Sequence, residues 1–349
     1  MKKRICVALS GGVDSAVSAA LLKKEGHDIF AAFVKVWQPD FLDCTQEEDR
    51  KSAKRVAAAL GVPFYVHDAA EEYKQYVVDT MTAQYAKGET PNPDILCNQF
   101  IKFGSLYRFA KTMGATHIAT GHYAQTTYYD GVCTLKKARD ESKDQVYFLA
   151  QVEPSLLPQC IFPVGGLLKA ETRAYAHSFK LPVAEKKDSQ GLCFMGMVDM
   201  AEFLAHLIPM QQGEVLNEKG DVIGTHTGAT QFTIGQRHGF LIAHPPIEPL
   251  YVHSIDVAHN TITVSALYPI GEKVISLRDV QKYFDLQSKT PYTAQLRYHG
   301  KEIPCSVVLS KDGAIVHLED AASVAPGQSC VVYQKNIVAM TGTVSTVSK

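Results

Sequence analysis

The chain has 349 residues, 46% of them apolar and 20% charged, with 35 Lys and Arg against 36 Asp and Glu. These figures exclude a fibrous or disordered chain and leave room for two or three domains. No apolar run approaches the roughly 18 residues of a membrane span, so a cytoplasmic protein is expected, and a formal charge of −1 argues against a nonspecific coat on nucleic acid while leaving a local basic groove open.

The first two hundred residues alternate β-rich and helical runs, the pattern of an α/β unit with a doubly wound parallel sheet. Residues 4–9 read as a buried strand, 14–25 as a helix stopped by Gly26, and 28–37 as a second strand. A helix over 46–60 ends at Gly61 with Pro63 beyond, followed by a strand at 64–67 and a helix at 71–87. A further helix is predicted at 103–113, closed by Gly114, and a strand at 117–120. Ligands of such sheets sit at the carboxyl ends of strands, so the loops after Leu9, Val36 and Thr120 are expected to face one crevice. From Gly213 onward short alternating runs separated by Gly, Pro and Asn predict small β-rich or β-barrel units. The expected division is 1–205, 206–270 and 271–349.

The strand at 4–9 runs into Ser10-Gly11-Gly12-Val13-Asp14-Ser15, and a helix begins at once. Glycines admit an anion to backbone amides, serines add donors, and the helix start adds a positive dipole. Phosphate is expected here. The lysine of G-x-x-x-x-G-K-[ST] is missing, so the common P-loop reading fails. The hexapeptide resembles the PP-loop signature SGGxDS of ATP pyrophosphatases, which implies cleavage of ATP to AMP and pyrophosphate with adenylation of an acceptor oxygen.

The eight cysteines, at 6, 44, 97, 133, 160, 193, 305 and 330, contain no C-x-x-C pair, which argues against a structural zinc. Two lie in reactive settings. Cys97 follows Pro91-Asn92-Pro93-Asp94 near a helix start, where the dipole favours a thiolate; it reads either as a nucleophile or as a buried cysteine. Cys193 sits among Lys186, Lys187, Asp188-Ser189-Gln190 and Gly196, a polar loop setting that suits a redox or catalytic thiol.

Six motifs then occur in order: SGGVDS at 10–15; Asn92-Pro93-Asp94 with Cys97-Asn98; Ala119-Thr120-Gly121-His122-Tyr123-Ala124; Lys143-Asp144-Gln145 with Tyr147-Phe148-Leu149; Asp188-Ser189-Gln190 with Cys193-Phe194; and Thr233-Ile234-Gly235-Gln236-Arg237. In this set and order the chain resembles the tRNA-specific 2-thiouridylases, over about residues 3–333. The resemblance implies that ATP, with Mg²⁺, is bound by Ala8, Leu9, Ser10, Gly11, Gly12, Val13, Asp14, Ser15 and Gly121. Val34 would lie beside the adenine, where the family often has Met. Asn92, Pro93 and Asp94 would surround an everted wobble uridine, with Asp94 as acid or base or only as a positioning group. Cys193 would carry sulfur as a persulfide received from an upstream sulfur carrier or desulfurase relay, and Cys97 would end in a disulfide with it. Whether the persulfide attacks C2 directly or releases hydrosulfide stays open.

The resemblance further assigns tRNA contacts to His122, Lys143, Asp144, Gln145, Arg297, Tyr298 and Gln328, and implies action on tRNAs for Lys, Glu and Gln; a monomer is expected, though the sequence does not fix the oligomeric state. Departures from the family pattern stand at Gln125, at 239–244 and at 338–342, away from the loop and both cysteines. A different PP-loop adenylating enzyme would have no use for the paired cysteines. A non-catalytic binding module would not need an intact SGGVDS.

Overall fold

The computed structural model describes residues 2–41, 46–188, 200–244, 248–269, 271–287 and 290–345. The first seven strands are β1 (Arg4–Ala8), β2 (Asp28–Lys35), β3 (Phe64–Asp68), β4 (His117–Ala119), β5 (Gln125–Tyr129), β6 (Val132–Lys136) and β7 (Cys160–Ile161). Five of them form a parallel sheet in the order β3-β2-β1-β4-β7. The order reverses between β1 and β4, so a crevice opens at their carboxyl ends. β1 is central, and Ile5, Cys6 and Val7 are wholly buried. Helix α1 (Val13–Lys24) is buried on most of its circumference because it lies between this sheet and the helix Lys169–Ser178. Helix α2 (Gln46–Leu60) instead turns only Gln46, Ser52, Ala53, Val56 and Ala57 inward.

Two helices differ from expectation at their ends. The one predicted at 71–87 spans 70–85 and widens by a residue per turn over Lys74–Asp79. The one predicted at 103–113 begins at Pro93. Asn92 caps it by accepting from the amides of Asp94 at 3.0 Å and Ile95 at 3.3 Å. Proline fits the first helical position, whose amide has no partner within the helix, so Pro93 opens the helix. The helix then continues to 112, wide-turned over Cys97–Ser105.

The β5–β6 hairpin was missed by the strand–helix reading, and it leaves the parallel sheet to join the last domain. The remaining strands are β8 (Gly213–Leu216), β9 (Val222–His226), β10 (Phe240–Ile242), β11 (Tyr251–Asp256), β12 (Thr261–Ser265), β13 (Glu272–Lys282), β14 (Tyr292–Gln295), β15 (Ile303–Ser310), β16 (Gly313–Ala322), β17 (Ser329–Gln334) and β18 (Ile337–Val344). The first five make a sheet in the order β10-β9-β8-β12-β11 with its own small core of Val215, Phe232, Val252, Ile262 and Val264. The last six run β13-β16-β15-β14-β17-β18, and a β13–β18 pairing closes them into a barrel.

The barrel shares one continuous core with the first domain, running from Phe30 and Ile101 through Tyr147 to Tyr283 and Met340. Polar ties run along the same seam. Tyr147 donates to the Ser329 carbonyl at 2.9 Å, Tyr283 to that of Ala150 at 2.6 Å, and Thr134 to that of Val338 at 2.6 Å. The barrel is therefore joined to the first domain through a shared core, while the middle domain keeps a core of its own.

Candidate active site

β1 ends in the predicted phosphate loop, whose shape is held from within. The Ser10 amide donates to Ser15 Oγ at 3.2 Å, Ser15 Oγ donates to the Gly12 carbonyl at 3.2 Å, and the two serine hydroxyls are 3.1 Å apart. Gly11 has φ +81°, and a Cβ there would lie 2.4 Å from the Asp49 carbonyl oxygen, so the start of α2 presses on the loop. Among the described residues no side chain caps α1, which leaves its first amides and its dipole to an anion. From β4, Gly121 packs against the same turn: a Cβ there would sit 2.5 Å from the Ser15 nitrogen. The expected ATP residues of the loop and Gly121 therefore meet at the crevice, and Val34 is buried near the end of β2.

A ring of paired charges surrounds the loop. Lys169 Nζ donates to both oxygens of Asp14, at 2.7 and 2.9 Å, and lies 2.9 Å from Asp188; Tyr123 also donates to Asp14, at 3.2 Å. Arg173 donates to Asp188, and Lys143 is 3.5 Å from it. Burial alone would raise the Asp188 pKa, but Lys169 and Arg173 outweigh it and hold the carboxyl below its usual range. Lys186 donates to the Gly11 carbonyl at 3.1 Å and to Asp49 at 2.6 Å. Lys186, which belongs to the sequence setting of Cys193, has its ammonium on the phosphate loop. Lys169 and Arg173, which sequence reasoning missed, belong to the same ring and carried no motif that would have marked them.

The second half of the site is the helix that starts at Pro93. Cys97 is wholly buried, one turn after Asp94, whose carbonyl accepts the Cys97 amide. Farther along the same helix, Lys102 Nζ comes within 3.3 Å of His122 Nε2, and His122 Nδ1 is 2.7 Å from Thr120 Oγ1. Burial first, and then the charge of Lys102, drives the His122 pKa well below the imidazole range, so the ring is neutral and accepts from lysine. His122 adjoins Gly121, so a short path of contacts runs from the cysteine helix to the phosphate loop.

The barrel contributes Tyr298, whose ring packs at a tilt of 43° against Phe148 with centroids 4.2 Å apart; Asn98, next to Cys97, donates to the Phe148 carbonyl at 3.1 Å. Burial first, and then the charges of Asp144 and Asp94, raises the Tyr298 pKa. Asp144 accepts from the Ala138 amide at 2.7 Å, and burial pushes its pKa up to about 6. Gln145 brackets Tyr123 from both sides, its amide donating to that carbonyl at 2.8 Å and its side-chain oxygen accepting from that amide at 3.0 Å. Arg297 is exposed, and Gln328 donates to the Thr90 carbonyl at 2.7 Å. Cys193 and Cys44 lie outside the described residues. Cys6 is pushed up to about 12 by burial, and Cys160 and Cys330 are raised further by the same cause, which fits packing rather than chemistry.

Three family models match successive parts of the chain. A tRNA methyl transferase HUP domain matches residues 3–197, a tRNA methyl transferase PRC-barrel domain 201–266, and an aminomethyltransferase beta-barrel domain 272–344. A tRNA-specific 2-thiouridylase MnmA of Enterococcus faecalis is 39% identical over 346 residues, covering 95% of this chain and 92% of that protein. The protein of the same name from Geotalea uraniireducens is 40% identical over 359 residues, covering 97% and 93%. That of Geobacter metallireducens is 40% identical over 347 residues, covering 95% and 94%.

Proposed function

The chain belongs to the tRNA-specific 2-thiouridylase family of tRNA sulfurtransferases, and from that premise we propose how its residues divide the reaction. ATP binds with its phosphates on the 10–15 loop and the start of α1, and Gly121 forms the facing wall. Mg²⁺ entering with the nucleotide would neutralise phosphate charge; Asp14 and Asp49, the carboxylates at the loop that would hold it, are engaged by Lys169 and Lys186. The wobble uridine is everted from the anticodon stack into a pocket beside Asn92, Pro93 and Asp94. Its O2 attacks the α-phosphorus, pyrophosphate leaves, and C2 becomes electrophilic.

Sulfur then replaces the adenylated oxygen. In one route the terminal sulfur of a Cys193 persulfide attacks C2 and expels AMP; the Cys97 thiolate next attacks the Cys193 sulfur and releases 2-thiouridine. In the other, Cys97 attacks the persulfide first and frees hydrosulfide, which attacks C2. Either way one Cys97–Cys193 disulfide forms, and a two-electron dithiol reductant reopens it. Asp94, one turn before Cys97, sits where it can hold the base or exchange a proton with it. Tyr298 and Phe148 offer an aromatic surface to an unpaired base, and the exposed Arg297 offers a cation to RNA, which Lys143 joins by leaving Asp188.

The observation that carries this reading is the contact path from the helix bearing Asp94 and Cys97, through Lys102 and His122, to Gly121 and Ser15. It supports a reading in which a candidate thiol and the phosphate loop serve one site. The test is nucleoside mass spectrometry of tRNA for Lys, Glu and Gln after incubation with the protein, ATP, Mg²⁺ and a persulfide donor. Wobble uridine is expected to gain the mass of sulfur replacing oxygen, with one pyrophosphate per thiolation. Cys97→Ala and Cys193→Ala are expected to abolish the gain while ATP binding persists. Pyrophosphate release with no thiolation by the wild-type protein would refute the sulfur step.

A further inference from the structure

The segment 88–90, just ahead of the helix cap Asn92, is where all three domains meet. Glu89 is paired bidentately with Arg278 of β13, at 3.0 and 2.7 Å, and the Glu89 side chain is only 13% exposed. The Thr90 amide donates to the Pro326 carbonyl at 2.7 Å, and the Thr90 carbonyl accepts from Gln328 at 2.7 Å. Thr90 Oγ1 lies 3.2 Å from Thr233 Oγ1 of the middle domain. Two glycines permit this approach. A Cβ on Gly327 would lie 2.9 Å from Glu89 Cβ, and one on Gly88 would lie 3.0 Å from Val257 of the middle domain.

Each partner of this segment is itself braced. The β13–β18 register shifts between Arg278 and Gln281, with Asp279 at φ +52°, a bulge-like irregularity of the kind that re-aims side chains. Thr233 belongs to the Thr233–Arg237 motif: the Gly235 amide donates to the Val252 carbonyl and the Val252 amide to that of Gln236, both at 2.8 Å, fixing the motif to β11. The motif that sequence analysis left without a role thus presents Thr233 to Thr90. Arg278 turns inward to Glu89, so its charge is engaged within the protein.

We propose that the Glu89–Arg278 pair, with the tethers on Thr90, is a positioning clamp through which tRNA seated on the two β domains sets the base pocket at residues 92–97. Arg278 and Glu89 act through the segment they hold, two residues before Asn92; they do not touch the base. The inference rests on the reaction proposed above. A planar bidentate pair fixes direction as well as distance, which a lysine cannot reproduce. Small misplacements at a reacting centre reduce turnover about a hundredfold without comparable loss of binding.

The test uses full-length protein carrying Arg278→Met, Arg278→Lys, or Arg278→Met with Glu89→Gln. The double variant removes both charges, so no buried carboxylate is left unpaired. Arg278→Met is expected to reduce kcat for thiolation by about tenfold or more, with KM for ATP and Kd for tRNA nearly unchanged. Arg278→Lys is expected to fall between it and wild type. The double variant is expected to recover Tm while kcat stays low. A second readout does not depend on activity: the rate of Cys97 alkylation, followed by peptide mass spectrometry, is expected to change severalfold in Arg278→Met and in the double variant, with and without tRNA. Recovery of kcat together with Tm in the double variant would reduce the pair to a fold-stabilising contact. Loss of tRNA affinity with kcat intact would make Arg278 an RNA contact instead. If wild type forms no thiouridine, the reaction scheme falls while the alkylation rates still decide the clamp; unchanged alkylation would overturn the clamp alone.

Discussion

Gly121→Ala adds one methyl group where two parts of the nucleotide site press together. Its Cβ would stand 2.5 Å from the Ser15 nitrogen, 2.8 Å from the Asp14 carbonyl carbon and 2.9 Å from Ser15 Cα. All three are backbone atoms, so no side chain can swing away to relieve the contact. Ordinary contact needs about 0.9 Å more than the shortest of these distances. Either the end of β4 or the first turn of α1 must move, and overpacking of this kind costs about 1–3 kcal/mol. The first turn of α1 is where phosphate is expected to bind, so the displacement tilts the amides that bind it. At about 1.4 kcal/mol per factor of ten, ATP affinity is expected to fall by one to two decades. Isothermal titration with ATP measures this, and thermal unfolding shows whether the fold survives. Gly166→Ala is the control, because a Cβ there meets nothing within 4 Å and no positive φ is involved; its affinity and Tm are expected to match wild type. An unchanged ATP affinity in folded Gly121→Ala would refute the placement of phosphate at this turn.

Three further outcomes are expected. Asp144 is an acid whose folded pKa is raised to about 6 by burial, so the folded state holds its proton more tightly than the unfolded chain does. Stability associated with it is greatest below pH 4 and is lost as pH rises through about 6, by roughly 3 kcal/mol at most. Asp144→Asn keeps an acceptor for the Ala138 amide and is expected to flatten this dependence and raise Tm at pH 7; urea titrations at several pH values in which the variant keeps the wild-type slope would contradict it. Lys186→Met removes the ammonium that lies on the Gly11 carbonyl and Asp49, and a charge-assisted contact to phosphate of ordinary strength corresponds to about a tenfold rise in ATP Kd; Lys187→Met is expected to leave ATP Kd near wild type, and equal effects of the two would count against the assignment. Binding of tRNA is expected to weaken only gently with salt, with a slope shallower than about −4 in a log–log titration, and a steeper slope would show a basic groove that the balanced charge conceals.

The features legible in the sequence are those set by local rules. The strand–loop–helix at 4–24 could be read because glycines, serines and a buried strand each act within a few residues, and the helix at 46–60 because its stop signals are local. Pro93 shows the limit of such reading. Proline forbids a helix interior but suits a helix start, and only the side chain of Asn92, turned onto the amides of Asp94 and Ile95, decides between the two. The β5–β6 hairpin was illegible for a different reason. Its strands find a partner in β18, some two hundred residues later, and no local pattern announces a pairing of that separation.

Read as a sum, 35 basic against 36 acidic residues leave no excess of cations for RNA. In the fold, Lys143, Lys169, Arg173 and Lys186 are drawn into ion pairs with Asp14, Asp49 and Asp188 around the phosphate loop. Charges arranged this way repel the triphosphate less than bare carboxylates would and attract RNA less than bare lysines would. They can also exchange partners when phosphate arrives, with little net desolvation, because each cation trades one oxyanion for another. In the scheme proposed above, recognition of tRNA then falls to shape, to the aromatic pair Tyr298 and Phe148, and to how firmly the β domains grip the segment ahead of Asn92.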